Sequence, residues 1–120
     1  MELTVERMED VAVVQPKADH LDASTVSDFT RAITPVLAST PKVVLDLSRM
    51  QFVDSSGLGV FIMCLKRANA AGGDLKIAGM TKPVRVLFEL VRFHKIIEVY
   101  NESEEAVAAF RRPSTSSGRP

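Results

Sequence analysis

Two hydroxyls and a carboxylate stand together at Asp54-Ser55-Ser56, and Gly57-Leu58-Gly59 follows them. Asp, Ser and Gly belong where a strand gives way to a helix, because side-chain oxygens there satisfy the first free backbone N–H groups. Either Asp54 or Ser55 could be that cap. A hydroxyl so placed lies at the positive end of the helix dipole, where an added phosphate is electrostatically tolerated. Two enzymatic chemistries can be set against this reading. A nucleophile elbow needs Gly-x-Ser-x-Gly, and Val53 occupies the place of the first glycine before Ser55. A phosphate-cradling loop needs either the P-loop Lys-Ser/Thr or a full Gly-x-Gly-x-x-Gly, and neither spacing occurs. The plainest alternative is that Asp54 and the serines only cap the helix.

The elements that must carry this stretch follow from periodicity. Leu3 and Val5 alternate with polar residues, Met8-Glu9-Asp10 turns the chain, and Val11 and Val13 resume the alternation up to Pro16, which predicts an opening hairpin. Asp22 is the expected N-cap of a first helix with Val26, Phe29, Ile33 and Leu37 on its apolar stripe, and Pro35 should kink or tighten its last turn. Val43 to Leu47 is nearly free of polar residues and suits a central strand covered on both faces. After the Asp-Ser-Ser-Gly loop a second helix is expected, ended by Gly72-Gly73, with Leu58, Phe61, Ile62, Leu65 and Ala68 as its core face. Its other face carries Val60, Met63, Cys64 and Arg67, which suits either a partner contact or burial beneath another element.

Leu75 and Ile77 mark the next strand. Thr81 is the expected cap of a third helix, with Pro83 in its first turn and Val84, Leu87, Phe88 and Val91 buried. Arg85, Glu89 and Arg92 read as a solvated face with an ion pair, or as a basic effector surface. Ile96, Ile97 and Val99 predict a last strand, and Asn101 with Glu104 a capping pair for a C-terminal helix that buries Val107 and Phe110. The domain is expected over residues 1–110. Residues 111–120 have no apolar side chain and are expected to form a disordered tail, whose serines Ser114, Ser116 and Ser117 carry no further role. Strands alternating with helices after a hairpin predict an α/β layer structure with a mixed sheet.

A chain of 120 residues supports one domain with one core. Its 15 basic and 15 acidic residues cancel, so no charge excess points to nucleic acid or to an anionic membrane. The absence of a spanning apolar run and an acidic start lead us to expect a cytoplasmic protein. One cysteine, Cys64, excludes an internal disulfide, and His20 and His94 suggest neither a metal site nor a cofactor.

Asp54-Ser55-Ser56-Gly57-Leu58-Gly59, behind the strand Val43 to Leu47, resembles the signature of the STAS domain, and more narrowly of the stand-alone bacterial anti-sigma factor antagonists. The resemblance spans roughly residues 2 to 110. It implies a small mixed sheet opened by a hairpin, with about four helices packed largely on one face. It also implies that Ser55 is phosphorylated by an anti-sigma factor that is a serine kinase, and that a serine phosphatase reverses this. It places Asp22 beside that serine. With the adjacent hydroxyls, the glycines that leave the loop open to a partner's backbone and the apolar outer face of the second helix, the expected partner surface comprises Asp22, Asp54, Ser56, Gly57, Leu58, Gly59, Val60 and Met63, on a monomer or weak dimer. In place of the glycine and variable residue common before the Leu-Asp pair, this chain has Asp19-His20, which adds charge and bulk there. The alternative is a constitutive STAS scaffold in a larger assembly, never phosphorylated.

Overall fold

A computed structural model describes residues 1–111. The hairpin forms as β1 (Leu3–Met8) and β2 (Val11–Pro16), antiparallel, with Glu9 in the left-handed conformation at the turn. Three parallel strands extend it in the order β1-β2-β4-β6-β7, where β4 is Lys42–Asp46, β6 Asp74–Ala78 and β7 Glu98–Tyr100. A separate two-stranded parallel ribbon joins β3 (His20–Leu21) to β5 (Phe52–Val53). The helices are α1 (Val26–Ser39), α2 (Ser55–Ala70), α3 (Lys82–Leu90) and α4 (Ser103–Arg111), with a 3-10 turn at Phe93–Lys95.

The central strands bury both faces, as their apolar runs require. Ala12, Val14, Val43, Leu45, Leu75 and Ile77 share the larger core with α1, α2 and α3, whereas Val11, Val13, Val44 and Ala78 pack with Ala106 and Val107 of α4. Three helices therefore lie on one face and α4 on the other. In the larger core Phe29, Phe61, Phe88 and Phe93 form a chain of ring contacts. Cys64 is buried there, and desolvation pushes its thiol up to about 12, so it stays protonated.

Several expectations need correction. Asp22 does not cap α1: its carbonyl accepts from Thr25 N and Val26 N and its carboxylate from Ser24, forming a turn of its own, and the helix starts after Thr25. The helix then runs through Pro35 to Ser39. The core face of α2 comprises Gly57, Phe61, Cys64, Leu65 and Ala68, while Leu58 and Ile62 are only half-buried. The reason is α1, which packs along the Cys64–Arg67 flank, where Arg67 donates to the Thr34 hydroxyl at 3.2 Å. Val91 and Ile96 are exposed, and the last strand begins only at Glu98.

Thr81 precedes α3 but donates its hydroxyl to Met50 O at 2.6 Å instead of capping. Asn101 accepts from Arg85, and the reciprocal contact at the start of α4 is Glu102 N to Glu105. Arg111, placed in the tail by composition, ends α4 and pairs with Glu9 at 3.3 Å. The rest of the tail, with Ser114, Ser116 and Ser117, lies outside the described residues.

Lys76 breaks the polar-outward rule of an alternating strand. It is buried beneath α4, with Nζ 2.8 Å from Glu98, 3.3 Å from Asp74 and 4.6 Å from the centre of the Phe110 ring. Pairing and the aromatic face compensate the loss of water around the ammonium.

Candidate functional site

The start of α2 is built from the β3–β5 ribbon. Val53 turns inward and is buried, and Asp54 N donates to Leu21 O at 3.2 Å, which fixes the exit of β5 against β3. Asp54 is then the N-cap: its Oδ1 accepts from Ser56 N at 2.9 Å and Gly57 N at 3.1 Å, and its carbonyl takes Leu58 N at 3.0 Å. A cap of this kind stabilises by about 1 kcal/mol. Ser55 is left as the first residue of the helix, exposed, with no hydrogen bond to its hydroxyl among the described residues.

The two glycines differ. A Cβ on Gly57 would stand 2.7 Å from Leu21 O and 2.8 Å from Val53 Cγ1, so this glycine lets the helix sit directly on the ribbon. Gly57 is buried, and the backbone approach it permits is that of the chain's own Leu21. Gly59 has open space around the same position. At about 100° per residue Ser55, Gly59, Ile62 and Lys66 form one outward ridge, with Met63 beside it. Val60 and Met63 are half-buried and pack against the core.

Because His20 pairs with Phe52 and Leu21 with Val53, the ribbon sets the turn at Asp22 alongside the cap at Asp54. Asp22 Oδ1 accepts from Ser24 Oγ at 2.6 Å and Ser24 N at 2.9 Å, and the Ser24 hydroxyl is the main reason its carboxyl lies below the usual range. Asp19 accepts from His20 Nδ1 at 2.8 Å, which holds the Asp19 carboxyl low and the His20 imidazole high; the charge of Asp22 adds to the latter. Carboxylates thus stand at the Asp22 turn and the Asp54 cap, while Lys17 and Arg49 line a shallow polar concavity beside Asp19. Sequence reasoning missed Phe52, 54% exposed on β5 two residues before the cap. The one available signal was its place next to inward Val53 in a strand.

The pairing at His20 gives a direct test. Its NMR titration midpoint is expected above 6.5, and Asp19→Asn should bring it down. Since the folded value is the raised one, the stability contributed by protonated His20 is complete below pH 6.5 and is lost as pH rises through the folded value. A wild-type midpoint at or below 6.5 would refute the pairing.

The STAS domain profile matches residues 2–106, nearly the whole described chain. The chain belongs to the STAS domain family. It is 35% identical over 65 residues to the anti-sigma F factor antagonist of Paenibacillus polymyxa, covering 54% of this chain and 56% of that one. It is 31% identical over 86 residues to the anti-sigma-B factor antagonist of Staphylococcus aureus, covering 71% and 79%. The crystal structure of an anti-sigma factor antagonist from Mycobacterium paratuberculosis superposes with a TM-score of 0.82 at 26% identity, covering 92% of this chain and 94% of that one. Two of the curated relatives that this STAS domain matches are spanned over only 60% and 56% of their length. Among the described residues no helix is long and apolar enough to cross a membrane, and no cluster of His, Cys, Asp and Glu could hold a metal ion.

Proposed function

We propose that this STAS domain is an anti-sigma factor antagonist, a protein-binding module switched by phosphorylation. Unmodified, it binds an anti-sigma factor that is also a serine kinase, and a sigma factor is thereby released. Phosphorylation of Ser55 ends the binding, and a serine phosphatase restores it. No catalytic step is assigned to the chain itself.

The observation that carries this reading is an exposed, unengaged hydroxyl at the first position of α2, flanked by the turn at Asp22 that the β3–β5 ribbon holds beside it. The names of the relatives point the same way. Partner contacts are assigned to Asp22, Asp54, Ser56, Leu58, Gly59, Val60 and Met63, with Gly57 supporting them from beneath, and Phe52 and Ile62 are added to the surface.

Incubation with the cognate kinase and ATP is expected to raise the mass of the wild-type chain by one phosphate and to leave Ser55→Ala unchanged. A constitutive scaffold, never modified, is the competing reading. It draws on the fact that Asp54 already occupies the helix donors at Ser56 and Gly57 that a phosphate would otherwise use. It predicts no added mass with any cognate kinase.

A further inference from the structure

Apolar surface is also left uncovered away from Ser55, on the outer side of α3 and the turn behind it. Leu90 is 78% exposed, Ile96 55%, Val86 52% and Val91 45%, whereas Val84 and Phe88 of the same helix are buried. Val86 and Leu90 lie one helical turn apart and form a single ridge opposite the buried stripe. Four cations, Lys82, Arg85, Arg92 and Lys95, stand in this segment against one anion, Glu89, a formal +3 on a chain whose net charge is +0. None of the four makes an ion pair among the described residues; Arg85 donates to the neutral Asn101.

We propose that this face is a second docking surface, and that its occupant is an acidic amphipathic helix of a partner protein. An aliphatic ridge at i, i+4 spacing fits the groove between the side-chain rows of another helix. Cations bordering such a ridge match carboxylates bordering the apolar stripe of the incoming helix. An anionic lipid surface fits less well, because the patch has no exposed aromatic side chain to seat at a headgroup boundary. Asp54 and the turn at Asp22 place carboxylates beside Ser55, which disfavours the same helix there. The hydrogen bond from Thr81 to Met50 O anchors the start of α3 to the segment that leads into β5, which keeps the second surface fixed relative to the first.

The test is NMR titration of the full chain with a synthetic helical peptide of about 18 residues, carrying leucines at i, i+4 and i+7 and glutamates on both borders. Shifts are expected to be confined to residues 82–96, binding should weaken about tenfold in Leu90→Ser and again on raising salt, and a peptide with lysines for glutamates should not bind. Ser55→Glu should bind the peptide as wild type does, which separates this surface from the phosphorylation reading. Absence of binding, or shifts elsewhere, overturns the proposal. So does binding to phosphatidylglycerol vesicles in place of the peptide, which would make the face a membrane contact, or self-association abolished by Leu90→Ser, which would make it a contact between copies.

Discussion

Phosphorylated at Ser55, the chain is expected to bind the proposed anti-sigma partner about a hundredfold more weakly than the unmodified chain does, with little change in its own unfolding midpoint. Phosphate adds about 1.5 to 2 negative charges. The structure leaves that charge few partners within the molecule, since the Asp54 carboxylate already takes Ser56 N and Gly57 N and stands as a like charge beside it. In the free protein water solvates the group at an exposed position. Inside an interface it must be paired or bear a desolvation cost of several kcal/mol. A penalty of about 3 kcal/mol corresponds to somewhat more than a hundredfold, at about 1.4 kcal/mol per tenfold. Calorimetric titration of purified partner with both forms measures it. Ser55→Ala should bind like the unmodified chain, and Ser55→Glu should reproduce only part of the loss because it adds a single charge. Equal affinities for the two forms would refute the switch.

Phe61→Ala should cost about 3 to 5 kcal/mol of folding stability, a large share of the roughly 5 to 15 kcal/mol of a small domain. Phe61 is fully buried, with its ring 6.3 Å from that of Phe29 in α1 and 6.1 Å from that of Phe88 in α3, so one side chain joins three helices on the larger face. Urea unfolding followed by circular dichroism should show the midpoint falling with the slope retained. A loss below about 1 kcal/mol would mean that the helices close over the gap and that the ring chain is not what holds them.

Much of this molecule could be read from the chain alone because its longer elements announce themselves by period. The hairpin, the doubly buried strand at Val43 to Leu45 and the stripe of Phe29, Ile33 and Leu37 are each long enough for alternation or helical spacing to be distinctive. Side-chain chemistry narrowed the cap to Asp54 or Ser55, and the structure decides for Asp54. What escaped depends on neighbours distant in sequence. Two residues cannot display a period, so the β3–β5 ribbon was invisible, and with it the exposure of Phe52 and the contact of Gly57 with Leu21. Lys76 sits where alternation promises solvent, but α4 crosses that face and closes it. Cys64 is fully buried and Ile62 only half-buried because α1 covers one flank of α2, something no property of α2 records.

The shortness of β5 has one more consequence. With only two residues, its inward position, Val53, answers to the core, and its outward position, Phe52, gives more than half of its surface to solvent. Side-chain identity at position 52 is therefore less constrained by the core than that at position 53. On the proposed switch reading, a change of that single outward side chain beside an unchanged serine alters which partner fits while the capped helix start stays as it is.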